Sequence, residues 1–236
     1  MRPHSRFRPG PDGDEDSVTS CEDKAADKRR RILDAAEQVF ARLGFYEAKV
    51  ADVAKGAGVA DGTIYLYFKN KDDLLISLFE NRMQHFVADL GERLAQCQNA
   101  REKLSAYIRF HMALAETAPD FLAVITLELR QSATFMKEYE NPQFKRVLAL
   151  LHELFCQGED EGLFRLEGSP TVWARSLFGM VDETTRELVV MGLRGRSLEQ
   201  LADELTGIFL YGIGKAPETT KTGRKAKVFA SEKKRT

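Results

Sequence analysis

The segment 50–68, VADVAKGAGVADGTIYLYF, constrains the fold more than any other stretch of the chain. It holds two short helical patterns separated by a glycine turn, and the second ends in a Tyr-Leu-Tyr-Phe cluster. Ala54 and Gly58 are small where two helices must cross closely, and glycine reaches positive φ without a Cβ penalty. Val53, Val59 and Ile64 have the spacing of an apolar plug between the two helices. Asp61 is expected to cap the second helix and Thr63 to open it, so that its first turn presents N–H groups and small polar side chains outward. This is a helix-turn-helix pattern, whose second helix can lay its first turn in a DNA major groove. Geometry alone leaves open an ordinary helical hairpin with a buried aromatic end.

The surroundings favour DNA. Upstream, Ile32, Leu33, Ala36, Val39, Phe40 and Leu43 recur with helical period, predicting a helix from Lys24 up to Gly44. Its first half carries Lys28-Arg29-Arg30-Arg31, which as a bare pattern is either a solvated face or a phosphate-touching run. Phe45 and Tyr46 are expected to pack on the helix-turn-helix core. Lys69-Asn70-Lys71 opens another long helix.

This order, and the string AKGAGVADGTIYLYFKNKDDLL over residues 54–75, closely resembles the TetR family of bacterial one-component regulators. The resemblance implies an all-α protein with an N-terminal three-helix helix-turn-helix DNA-binding domain and a helical C-terminal ligand-binding and dimerisation domain, about nine helices in all. It implies phosphate contacts from Thr63, Tyr65, Tyr67 and Lys71, with Lys49, Ala51, Asp61 and Gly62 close to the bases. The chain departs from the family at Lys49, where Ser or Thr commonly caps the helix; a lysine side chain cannot accept that N–H bond but can reach a phosphate. The expected organisation is a disordered tail over 1–23, the DNA-binding domain over 24–71, the helical domain over 72–214, and a disordered basic tail over 215–236.

Charge follows the same division. The net value of −1 conceals −3 over residues 1–23, +3 over 24–72, −7 in the middle and +6 over 215–236. A basic face on one module suffices for nucleic acid. Added non-specific DNA affinity and solubility are equally good accounts of the basic tail. No apolar run approaches the ~20 residues of a membrane span, and the N-terminus lacks the apolar core of a secretory signal. Cys21, Cys97 and Cys156 are widely separated without metal spacing and read as reduced thiols. His4, His85, His111 and His152 form no metal motif, and neither a phosphate loop nor a nucleophile elbow is present. The expectation is a bacterial, cytoplasmic, nucleoid-associated DNA-binding protein with no catalytic residues, metal, cofactor or membrane partner.

Downstream, apolar periodicity and capping signals predict helices over 72–98, 101–117 and 121–133, with Pro119 at the first position of the last. Further helices are expected from Asn141-Pro142 to 161, from Ser169-Pro170 to 192, and from a Ser197/Gln200 capping box to about 214. The last two are expected to form an isologous four-helix dimer interface using Gly179, Leu205 and Phe209. Pairing lets two recognition helices read a palindromic double-stranded DNA operator.

VITLELRQS (124–132), FGMVDET (178–184) and the stretch through Phe79 resemble the fatty-acid-degradation repressors within the TetR family. That resemblance implies a long-chain acyl-CoA effector bound in the helical domain, which releases the repressor from its operator. Arg130 is the first candidate for a CoA phosphate partner and Arg109 the second. Tyr107, Phe110, Phe121, Ile125, Phe155 and Phe178 are candidate lining residues, although apolar lining and apolar core look alike in sequence. Two other readings stay open: a repressor of a multidrug efflux pump that senses lipophilic or cationic drugs, and a ligand-independent DNA-binding protein.

Overall fold

The computed structural model describes residues 15–125, 142–192 and 195–212, with side chains described from residue 23 onward. Nine α-helices and no strand occur among the described residues. Helix α1 spans Glu15–Leu43. It starts well before Lys24, which corrects the expectation of disorder through residue 23. No Gly or Pro interrupts the chain between Gly13 and Gly44, and Glu15 and Asp16 stand at the positive end of the helix dipole. Gly44, at φ 77°, ends the helix, its N–H donating to the Phe40 carbonyl at 2.9 Å.

Helices α2 (Val50–Ala57) and α3 (Asp61–Ile64) follow. Helix α4 (Lys71–Ala95) is capped by Asn70, whose side chain accepts from the Asp73 N–H at 2.8 Å. Helix α5 (Ala100–Thr117) is capped in the same way by Asn99. Pro119 opens α6 (Pro119–Ala123) as expected, and the coil widens to a π-type turn at Val124 and Ile125. The rest of the helix expected over 121–133, with Arg130, lies outside the described residues, as do the tail from 213 onward and residues 1–14.

Helices α7 (Pro142–Asp160), α8 (Pro170–Met191) and α9 (Leu198–Tyr211) start where the Asn-Pro, Ser-Pro and Ser-x-x-Gln signals placed them. Ser197 and Gln200 make both halves of their capping box, each at 3.1 Å.

Two bundles share one core. In the first, α1 packs on α2 and α4; in the second, α5 is central and meets α4, α6, α7, α8 and α9. Buried side chains run without a break from Ile32 and Phe40 through Leu75 and Phe86 to Val181 and Leu205. Helix α4 belongs to both bundles, and α6 rests against α1.

Candidate DNA interface and helical sensor domain

The helix-turn-helix forms as its spacing suggests. Val53, Ala54 and Ile64 are buried between α2 and α3, with Val59 packed against them. Gly58 ends α2 at φ 66°, and its N–H donates to the Lys55 carbonyl. A left-handed residue here suits glycine. Arg31 of α1 completes the cap, its Nη2 donating to the Ala57 carbonyl at 2.5 Å.

Lys49 does not cap α2 with its side chain. Instead the Asp52 carboxylate accepts from the Lys49 N–H at 3.0 Å, which leaves the lysine ammonium exposed for another partner. The Lys-x-x-Asp spacing carried this signal, because the N3 half of a capping box works without a hydroxyl at the cap. Asp61 is not a cap either. Ala60 occupies the cap position, Asp61 is the first helical residue, and no side chain caps the helix start. Asp61 and Gly62 therefore sit exposed at the tip of α3.

An open groove of about 580 Å³ runs between the two helix starts, lined by Tyr46, Lys49, Ala51, Asp61, Tyr65 and Lys71 among others. Thr63 and Tyr67 are half-buried beside it, while Tyr65 is 58% and Leu66 82% exposed. Sequence reasoning passed over Leu66, and over Tyr46, which points outward while Phe45 alone is buried. Their neighbours in an aromatic cluster made both look like core.

Two basic features have roles other than the expected phosphate contacts. The Lys71 ammonium donates to the carbonyls of Phe45, Tyr46 and Ala48 at 2.7, 3.1 and 3.0 Å and lies over the Phe45 ring. An ammonium has three N–H bonds, and all three are engaged in tying the α1–α2 turn to the start of α4. In the α1 run, Arg29 stacks on Phe68, Arg30 pairs with Asp27 and Arg31 caps α2. Isolated cations in a sequence do not reveal which carbonyls or rings the fold will bring to them.

The link to the second bundle is charged. Arg82 of α4 donates to Glu37 at 2.6 Å and to Asp34 at 3.0 Å, both on α1. Burial pushes the Glu37 carboxyl up, and the Arg82 guanidinium opposes that shift.

In the second bundle the candidate lining residues fall into separate groups. Phe110 stacks on Phe86 at 5.0 Å, and Phe178 meets His111 and Phe144 edge-on. Phe155 belongs to another cluster with Phe164, Trp173 and Phe209. Tyr107 and Phe121 are buried and Ile125 is half-buried. Arg109 lies elsewhere: it pairs with Asp203, and with Glu199 at 3.6 Å, across the exposed seam between α5 and α9. Among the described residues it ties one helix to the other.

On the expected dimer face, Gly179 is exposed, and a Cβ built there would meet nothing within 4 Å. Leu205 is 8% exposed, and Phe209 packs on Phe155 and Trp173, so both belong to the protomer core. The outward apolar residues of α8 and α9 are instead Val172, Val190, Met191, Ile208 and Tyr211. Helical period alone cannot tell the inner stripe from the outer one when both are apolar.

Together, the three-helix head and the helical domain beneath it define a ligand-sensing helix-turn-helix regulator. Residues 32–78 match the profile of "Bacterial regulatory proteins, tetR family", and residues 79–212 that of "YsiA-like protein, C-terminal region". The chain is 37% identical over 187 residues to the "Fatty acid metabolism regulator protein" of Bacillus subtilis (strain 168), covering 79% of this chain and 95% of that protein. Its fold is similar to that of the transcriptional regulator FadR from Bacillus subtilis in complex with stearoyl-CoA, with a TM-score of 0.73 and 35% identity over 78% of this chain and 99% of that one. The fatty acid degradation regulator FadR from Bacillus halodurans superposes with the same TM-score at 37% identity, covering 79% and 96% of the two chains. The chain belongs to the TetR family of bacterial regulatory proteins. Among the described residues no helix is long and apolar enough to cross a membrane, and no group of His, Cys, Asp and Glu is placed to hold a metal ion.

Proposed function

We propose that this protein is a cytoplasmic repressor of fatty-acid degradation genes, bound as a homodimer to a palindromic operator and released by long-chain acyl-CoA. The observation that carries the reading is its 37% identity across nearly the full length of a fatty acid metabolism regulator. The similar fold of a FadR chain in complex with stearoyl-CoA supports the choice of ligand. Lys49, Ala51, Asp61 and Gly62 face the bases in this reading, and Thr63, Tyr65 and Tyr67 hold phosphates. Arg130 is the candidate partner for the CoA phosphates. A carboxylate such as Asp61 suits the N4 amino donor of cytosine.

The outward apolar side chains of α8 and α9 form the dimer face, which sets two recognition helices roughly 34 Å apart, one turn of DNA. Acyl-CoA lowers operator affinity to the extent that it binds the released state better than the DNA-bound one. The test is retardation of the native promoter fragment with and without palmitoyl-CoA. Release by palmitoyl-CoA but not by free CoA is the expected result; a complex indifferent to every chain length of acyl-CoA refutes the ligand.

A further inference from the structure

The chain from Asp61 to Phe68 keeps a helical course past the end of α3. The N–H groups of Leu66 and Tyr67 donate to the carbonyls of Thr63 and Ile64 at 3.2 and 3.0 Å, and that of Phe68 returns to Ile64 at 3.0 Å. Tyr65 between them has helical angles, φ −71° and ψ −9°. Residues four apart therefore share a face. Ile64 and Phe68 make the buried face, and Asp61, Gly62, Tyr65 and Leu66 the exposed one. Two features of the exposed face have no reason within the fold. Gly62 is a glycine that the backbone does not need: its φ is not positive, and a Cβ built there would meet nothing within 4 Å. Glycine loses more freedom on folding than any other residue, so alanine would serve the fold better at this place. One turn further on, Leu66 holds out an aliphatic side chain that is 82% exposed, the highest value among the exposed large apolar residues. A single exposed leucine is ordinary on a protein surface. Here it stands one turn from bare backbone, on the face that carries Asp61 and Tyr65 into the open groove, and the pair forms a knob beside a hollow.

Resting on the operator-binding reading above, we infer that Gly62 and Leu66 read a thymine in each operator half-site through its 5-methyl group. The bare backbone at Gly62 lets this face come down onto the base edges, and Leu66 covers the methyl. Thymine is the base that presents an apolar group in the major groove. A leucine side chain has neither donor nor acceptor, so a phosphate or a polar base edge gives it nothing to bond. The surface is continuous with the groove between the two helix starts, so the helix that brings Asp61 to a base brings Leu66 with it. Gly62 acts as a positioning residue and Leu66 as the contact. Covering one methyl-sized group is worth about fourfold in affinity. A homodimer on a palindrome makes the contact twice, which raises the effect to about fifteenfold.

The experiment uses the full-length protein and its native promoter fragment, with deoxyuridine replacing thymidine at one symmetry-related pair of positions at a time. Uracil pairs as thymine does and lacks only the methyl. Affinities are read by fluorescence anisotropy, and folding by thermal melting. At one such pair wild type is expected to lose about fifteenfold. Leu66→Ala is expected to melt as wild type does, to bind the thymine operator about as weakly as wild type binds the uracil one, and to be indifferent to uracil at that pair, since two changes that remove one contact do not add. Gly62→Ala is expected to melt at the same temperature or higher and still to bind the thymine operator at least about fivefold more weakly, the usual cost of overpacking a close contact. The inference is overturned if wild type and Leu66→Ala respond alike to uracil at every pair, as they would if Leu66 touched only sugar and phosphate. It is equally overturned if Gly62→Ala binds as tightly as wild type. Wild type that binds the promoter fragment no better than unrelated DNA overturns the operator reading itself.

Discussion

His111 is buried and neutral, and that has a cost in acid. Its imidazole is held near 4 by desolvation, against 6.5 in the unfolded chain. Between those values the unfolded state binds a proton that the native state refuses, so stability falls as pH drops from about 6.5 towards 4 and levels off below. The loss is about 2 kcal/mol by pH 5 and about 3 kcal/mol near pH 4. Glu37 acts in the opposite sense, since burial raises its carboxyl and protonation is then easier in the folded chain. Comparing wild type with His111→Phe isolates the histidine. Urea midpoints at pH 7.5 and 5 should diverge strongly in wild type and much less in the variant, whatever the variant's absolute stability. Equal pH dependence in the two proteins would refute the assignment.

Gly158 shows how a helix can be shaped by what it lacks. It sits buried in α7, and a Cβ built there would lie 2.0–2.7 Å from ring atoms of Phe164, which folds back beneath its own helix. The N–H groups of Leu163 and Phe164 both donate to the Gly158 carbonyl at 2.9 Å, which fixes that return. Gly158→Ala should therefore destabilise the protein by about 1–3 kcal/mol, the usual cost of overpacking, despite alanine's better helix propensity. Thermal or urea unfolding checks the sign: a stabilised variant would mean that Phe164 swings out freely. Helix starts such as Ser169 and Ser197 were legible in the sequence because a cap needs only the right side chain next to the right period. Gly158 was not legible, since its contact is with a residue beyond the helix end. The same limit governed the site. The buried plug of Val53, Val59 and Ile64 follows from local spacing, and so does the position of Tyr65. Lys71 and Arg31, by contrast, lie on carbonyls about 26 residues away in sequence, and the pairing of Arg109 with Asp203 spans 94. Which partner a long cation takes is decided by tertiary packing, and local pattern does not record it.

The two ends of the molecule are bound to one another through α4 and α1. Arg82 holds α4 to Asp34 and Glu37 of α1, and Lys71 holds the start of α4 to the α1–α2 turn. A displacement of α4 in the second bundle thus moves the helix-turn-helix as a body instead of being absorbed at a loose joint. Such motion can change operator affinity only if two heads are held at a set separation, and that requires the dimer. Gly179 lies exposed in the middle of α8 with open space before it, and Val172 and Val190 of the same helix are exposed as well. In the proposed dimer, glycine at that place leaves room for a second copy of α8 to approach closely. Gly179→Arg should leave the protomer folded, because its side chain enters open space and touches none of the core. Buried in the pair, however, it would put two unpaired charges where the helices cross, which a protein interface tolerates poorly. Light scattering at micromolar concentration should show monomers with a wild-type helical spectrum. Operator affinity should drop towards that of a single head, roughly the 10³-fold or more that separates specific from non-specific binding. A Gly179→Arg protein that remains dimeric would place the interface elsewhere on the second bundle. A monomer that still binds the operator tightly would show that separation of the heads is not what the effector controls.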